Sequence, residues 1–510
     1  MIASSGFEAA RLAASREKWS RALLMAGVVA AVGLGLLAGA LAVSGQTNAL
    51  VGLAGLAVPA VVWKRPAIGV FGLGTAGLVI EQNHVGVASG DLTDHIPWFV
   101  SLSDGFHLSG IYINTAEVGI LLVLAIVVGR AGITRQFSWP SGWVGAGYLA
   151  ILAAVALAAL RGIAGGGNST MVLWEMRPFL YVFVIYFLAL QLDPSIRALD
   201  ALYWCLVVGT GIKAVQGLIL LVPIITSGNT RPDYLLSHDD AFFFDMEIVL
   251  VASLWLFKQK GRLRTVATML LPVVVVVNMA NSRRSAWLML AAGVVLLLVM
   301  FVVRVPERRG QVFKLAAVAG VLAAIYLPVF WNQTGILAQP ARAVHSTFDP
   351  SQRDQLSDQY RVQENANLIL AIRASTPLGA GFGIPINYVV PILDLSKTDP
   401  FIKYITHDGI FYVWWRMGWL GIIAWLSWIA FVMVSAVSLL RSKDIRIACF
   451  GTLAATCVAS YVIEGYYDFG LFWFRMAFFV GLMIGLTQIA HRIDQSASKT
   501  VMPSVEEAAA

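Results

Sequence analysis

Two arginines, Arg283 and Arg284, stand side by side in NSRRSAWLML (281–290), between long apolar runs. A guanidinium stays charged at any physiological pH and presents paired N–H groups to phosphate or carboxylate. Farther on, KYITHDGIFYVWWRMGW (403–419) sets His407 beside Asp408, among Tyr404, Phe411, Tyr412, Trp414 and Trp415. Histidine titrates near neutrality and is suited to accept a proton from a hydroxyl. Further ionisable residues interrupt apolar runs: Glu117, Lys213, Asp245, Glu247 and Arg475, with Arg161, Arg177 and Arg231 at the ends of such runs. Arginines gathered near one histidine suit an anionic ligand and a proton transfer. The plainer alternatives are arginines snorkelling to lipid phosphates, ion pairs that hold helices together, and an aromatic belt around an interfacial histidine.

The elements that must position these groups are membrane helices. Hydrophobic residues make up 58% of the 510, charged residues 13%, and mean hydropathy is +0.76, which excludes a water-soluble fold. Apolar runs long enough to cross a bilayer fall at 22–44, 49–63, 67–81, 111–129, 141–160, 177–193, 199–223, 241–257, 265–281, 285–303, 315–331, 409–440, 447–463 and 470–490. The second and third are short enough to be one re-entrant pair, so the expectation is an all-α polytopic membrane protein of about 12–14 spans. The long 409–440 run is expected to bend near Gly418. Cys205, Cys449 and Cys457 lie in apolar runs without metal or redox spacing. The net charge of +7 is scattered over short loops, which argues for cytoplasmic retention rather than nucleic-acid binding.

With the N-terminus inside, alternation places nearly every basic loop on the cytoplasmic side: Lys64–Arg65, 130–135, Arg197, 258–264, 304–314, 441–446 and the tail. It places 82–110, 161–176, 224–240, 332–408 and the NSRRS turn outside. Arg283 and Arg284 therefore break the rule that the other loops obey. Most of the intramembrane charges lie within a few turns of the outer end, so the expectation is a water-accessible outer cavity floored by those charges. The expected organisation is a cytoplasmic N-terminus (1–21), spans over 22–331, a large outer segment (332–408), spans over 409–490 and a cytoplasmic tail (491–510). Within the outer segment, SQRDQLSDQYRVQENANLILAIRAS reads as one or two amphipathic helices, and TPLGAGFGIP as a tight reversal. The latter lacks the preceding strand and the GK[ST] of a nucleotide loop.

Three blocks in order resemble a family. NSRRSAWLML resembles the helix start, ENANLILAIRASTPLGAGFG the helix followed by a glycine-rich turn, and THDGIFYVWWRMGWLGII the histidine-led helix of the O-antigen ligase/Wzy-type polymerase superfamily. Asp408 stands where the family usually has Asn, and SHDDAFFF (237–244) where members often carry Pro-Asn. The resemblance implies a GT-C-like fold in the bacterial inner membrane, with the site on the periplasmic side. It implies inverting transfer of a glycan from undecaprenyl diphosphate to an acceptor glycan or lipid A-core, with no metal or cofactor. The expected mechanism has His407 as general base and Arg284, at the family's motif position, gripping the diphosphate, aided by Arg177 and Arg231 and with Arg283 in support. Glu175, Tyr360, Arg361 and Glu364 would position sugar or acceptor. Two rival expectations are a protein O-oligosaccharyltransferase and a polysaccharide flippase. A flippase would put its site near the midplane and often shows repeats, neither of which stands out here.

Overall fold

The computed structural model describes residues 58–82, 93, 96, 98–102, 112–228, 235–395 and 400–501. The runs expected at 22–44 and over most of 49–63, the N-terminal segment 1–21, and Arg231 lie outside these. The described residues are helical throughout, with only isolated β-bridges at Ser101–Asn114 and Thr376–Gly379. The described residues form two compact units, those up to 69 with 121–135, and those of 70–120 with those from 136 on. In the first, Gly69 faces Val62 and Val123, and Arg130 Nη1 donates to Trp63 O (3.4 Å).

The helices, in chain order, are α1 (Pro66–Val79), α2 (Thr115–Thr134), α3 (Gly142–Ala164), α4 (Ser169–Leu190), α5 (Ile196–Thr226), α6 (His238–Leu256), α7 (Arg262–Ala280), α8 (Arg284–Arg304), α9 (Arg309–Phe330), α10 (Gln339–His345), α11 (Gln352–Ala374), α12 (Gly409–Ser438), α13 (Ile445–Tyr467) and α14 (Phe474–Val501). Ten helical segments among the described residues are long and apolar enough to cross a membrane. α6 falls outside that set because it carries four charged residues, Asp239, Asp240, Asp245 and Glu247. Yet it pairs with α7, which starts where α6 ends and finishes beside the start of α6, so it crosses as well. The protein is an all-α polytopic membrane protein.

α13 and α14 run through the centre of the second unit. On α14, GLMIG (481–485) puts Gly481 and Gly485 against the α4 backbone. A Cβ on Gly481 would meet Val182 O at 2.8 Å, and one on Gly485 would meet Tyr186 O at 2.9 Å. Small residues four apart allow the close backbone approach that lipid-embedded helices use in place of a hydrophobic driving force. α4 begins at Ser169 rather than near Arg177, because Asn168 caps it by accepting from Met171 N (3.1 Å). Glu175 and Arg177 therefore lie inside a helix and not in an outer loop. α12 breaks at Gly418 (φ 64°, ψ −158°), where the bend was expected. The 332–408 segment carries α10 and α11, the latter over the stretch read as amphipathic.

Loop contacts sort the helix ends into two faces. On one, Arg304 Nη2 donates to Ser442 O (2.9 Å), Ser442 Oγ to Asp494 Oδ1 (2.5 Å) and Arg492 Nη1 to Ser138 Oγ (3.0 Å). On the other, Arg284 meets Asp358, His407 meets Glu364, and His238 meets Asp468. The basic 304–314 and 441–446 loops belong to the first face and the 332–408 segment to the second, which is the alternation expected from the charges.

Candidate active site

The turn between α7 and α8 is held from below. Buried Asn281 accepts from Leu236 N (2.9 Å) and Leu235 N (3.3 Å) and donates to Ser237 O (3.1 Å), tying this turn to the start of α6. Ser282 follows in the left-handed region (φ 55°), a conformation that costs a non-glycine residue about 1 kcal/mol or more. Arg283 is the extended N-cap and Arg284 the first residue of α8. Both side chains thus begin at a helix N-terminus, whose free N–H groups favour anions.

They line a cavity of about 770 Å³ between the α8 start, α10, α11 and the end of α13. Arg342 joins from α10, and Arg353 and Arg361 from α11. Five arginines face three aspartates (Asp354, Asp358 and Asp468), a formal excess of two positive charges. The apolar part of the wall includes Trp287 and Leu288, in the first two turns of α8.

α11 connects this cavity to the histidine. Spacings of three and four place Asp354, Asp358 and Arg361 toward the cavity. One turn on, buried Glu364 accepts from both the backbone N and ring Nδ1 of His407 through the same oxygen, each at 3.0 Å. A carboxylate only accepts, so Nδ1 carries the proton and Nε2 is left as the acceptor. The ring is fixed further by Phe469 (centroids 3.9 Å) and by Tyr360 edge-on (5.5 Å, 74°). Phe469 itself adopts a left-handed conformation (φ 51°) and donates its N–H to His407 O (3.2 Å). The imidazole is 17% exposed, enough to meet a substrate while its ring is gripped on one edge.

Asp468, just past α13, joins the two halves. It pairs with His238 Nδ1, lies 3.9 Å from Arg361 and borders the cavity. Burial alone would raise its carboxyl, but His238, Arg361 and His407 together outweigh that and hold it below the usual carboxylate range. His238, Asp468, Phe469, Arg342 and Arg353 were missed in the sequence. For Arg342 and Arg353 the signal existed, since both are cations in an outer segment, like Arg283.

Other expected site residues sit elsewhere. Arg177 donates to Glu117 Oε1 (2.8 Å) and to Tyr112 O, and it does not line the cavity. Glu175 is fully buried and is not turned to substrate. It binds Arg416 (2.5 Å), Tyr412 Oη (2.9 Å) and Gly383 N. With Arg416 it clamps the TPLGAGFG reversal. Arg416 Nη1 donates to Gly381 O (3.0 Å) and Ile384 O (2.6 Å), and Nη2 donates to Tyr404 O (2.7 Å). The reversal therefore braces α3 and α12 rather than cradling phosphate, with Phe382 N donating to Ala158 O (3.0 Å).

The intramembrane charges do not floor the cavity either. Arg475 binds Asp239 (2.9 Å), Asp240 (2.5 Å) and Glu81 (3.0 Å), and Lys213 binds Glu81. Asp245 accepts from Asn278 (2.9 Å) and Glu247 from Thr210. In a low-dielectric interior an unpaired charge is costly, and Arg475 and Lys213 are paired with carboxylates, whereas Asp245 and Glu247 meet only neutral donors. The acidic trio Glu81, Asp239 and Asp240 has oxygens close enough for a metal ion, but Arg475 and Lys213 already pair with it and offset two of its three charges.

No curated protein matches the chain. Residues 266–426 match the O-antigen ligase family, a stretch containing the arginine turn, α10, α11, the glycine-rich reversal and His407. The three motif blocks lie in order inside that stretch, so this part of the chain is similar to the O-antigen ligase family.

Proposed function

We propose that the protein transfers a glycan from undecaprenyl diphosphate to an acceptor hydroxyl on the periplasmic side of a bacterial inner membrane, inverting the anomeric centre. The observation that carries this reading is an arginine-lined cavity joined, through one helix, to a carboxylate-oriented histidine. A diphosphate diester bears two negative charges, which the cavity's excess of two positive charges matches. Arg284 and Arg283 grip the diphosphate, assisted by Arg342 and Arg353. The earlier candidate Arg177 is committed to Glu117 and supports the fold near by.

In the transfer, His407 Nε2 takes the acceptor O–H proton as that oxygen attacks the anomeric carbon. The carbon–oxygen bond to diphosphate breaks, and its electron pair leaves with the diphosphate, whose growing charge the guanidinium groups meet. Glu364 holds the imidazole and stabilises its cationic form. Tyr360 and Arg361 flank the space where sugar or acceptor would lie.

The test is glycan transfer by purified full-length protein in detergent, with a polyprenyl-diphosphate oligosaccharide as donor. His407→Ala is expected to lower kcat/KM about 10²–10⁴-fold, the usual worth of a general base. Arg284→Ala is expected to cost about 10²–10³-fold. Wild-type rates in a well-inserted variant would remove that residue from its role. Turnover without sealed vesicles separates transfer from transport. Product analysis with glycan, lipid A-core and peptide acceptors separates polymerase, ligase and protein-modifying activities.

A further inference from the structure

The Arg284 fork is already occupied. Its Nη1 and Nη2 meet Asp358 Oδ2 (3.1 Å) and Oδ1 (2.5 Å) in the two-pronged geometry that a phosphate would use. The contact crosses the cavity from α8 to α11, and both side chains are half-open to solvent, at 34% and 45% exposure. One turn earlier on the same face, Asp354 also lines the cavity, supported by a hydrogen bond from Ser351 Oγ (2.7 Å). The seat of α11 does not depend on Asp358. Glu364 fixes the helix to His407, and Asn367 Oδ1 accepts from Val389 N (2.7 Å) and Val390 N (2.8 Å).

We infer that Asp358, with Asp354 behind it, is an internal substitute for the donor's diphosphate, and that the donor displaces it from Arg284. Asp358 is then a residue that sets donor affinity. It competes for the guanidinium when the donor enters and returns to it when the diphosphate leaves. An occupied fork also keeps two adjacent arginines from repelling each other in the free enzyme. This rests on the reading of the cavity as a diphosphate site.

The test uses inorganic pyrophosphate and farnesyl diphosphate as probes, titrated into full-length protein in detergent at low ionic strength. Asp358→Asn is expected to bind both about fivefold more tightly than wild type, equivalent to about 1 kcal/mol. Arg284→Gln is expected to bind both at least tenfold more weakly. Asp349→Asn makes the same change of charge in the outer segment at a side chain 82% exposed, outside the cavity lining, and is expected to shift affinity less than twofold. Unchanged or weaker binding by Asp358→Asn, with Arg284→Gln still impaired, overturns the internal substitute and leaves the diphosphate site standing. Equal tightening by Asp349→Asn also overturns it, since a general field would then suffice. Wild-type affinity in Arg284→Gln sinks both readings. Farnesyl diphosphate binding more tightly than pyrophosphate in every variant would assign the seat to a lipid-linked diphosphate, and the reverse order to a free one.

Discussion

Glu364 uses one oxygen for two N–H groups of His407, its backbone and its ring, so a single carboxylate sets both the position and the tautomer of the base. Glu364→Gln can donate as well as accept, which allows the imidazole to carry its proton on Nε2 instead. The expected result is a kcat about 10–100-fold lower, with donor KM changed much less and an altered pH–rate profile. A variant retaining the wild-type profile would show that Glu364 merely packs. The neighbouring Asp408 caps α12, accepting from Ile410 N and Phe411 N at 3.0 Å each, while its other oxygen is buried without a hydrogen-bond partner. Burial raises this carboxyl from 3.8 to about 6, the two backbone bonds opposing the rise and Glu364 adding to it. The folded state therefore holds the proton more tightly than the unfolded chain. The resulting stability is present in full below about pH 4 and is lost as pH rises to about 6, on the order of 3 kcal/mol in total. Asparagine caps a helix as well as aspartate and carries no charge to bury. Asp408→Asn should unfold at a higher temperature than wild type at pH 8, with the gap closing toward pH 4.5. An equal or lower unfolding temperature at pH 8 would contradict this. At this scale the short motifs pointed to His407, Glu364 and Arg284, but Glu364 was expected to hold sugar or acceptor and instead grips His407. Asp468 and His238 were not legible, because they meet across 230 residues of chain and neither carries a local signature.

The elements were legible where hydropathy and helix coincide. α7 and α8 fall within three residues of their expected ends, and α11 within one. α4 was not, since its first three turns carry Glu175 and Arg177, and hydropathy reports the solvent a residue suits rather than the helix it joins. The glycine-rich reversal was readable as a turn, but its bracing role needs α3 and α12, which the local sequence does not contain. That role makes strong demands. Gly381 has φ +88°, and a Cβ there would lie 2.8 Å from Gly162 Cα. Gly381→Ala is expected to reduce folded yield severely. Gly335→Ala, in the same outer segment at φ −71° with open space around it, should be neutral. Equal yields from the two would refute the brace. Arg416→Met leaves Glu175 charged and enclosed, at a cost of about 3–5 kcal/mol. Adding Glu175→Gln should recover part of that loss, measured by thermal unfolding in detergent, whereas additive losses would argue against direct coupling.

Across the whole molecule, intramembrane charge and site charge are separated, a division composition does not reveal. Arg475, Lys213 and their carboxylates close on one another in the bundle, while five solvent-accessible arginines gather where α8 meets the outer segment. Of the α9 residues only Val312 is buried, so this helix reaches the outer segment along the edge of the bundle. The distribution of basic loops predicts the direction in which this arrangement faces: the 304–314 and 441–446 loops should be cytoplasmic and α11 periplasmic. Single cysteines can test that orientation, because Cys205, Cys449 and Cys457 are all buried and give little background. Leu356 on α11 is 62% exposed, and Lys443 is exposed on the opposite face. Leu356→Cys should react with a membrane-impermeant maleimide in intact spheroplasts, and Lys443→Cys only after the membrane is opened. The reverse pattern would place the arginine cavity and His407 in the cytoplasm, where a periplasmic glycan could not reach them, and would remove the basis for the proposed transfer.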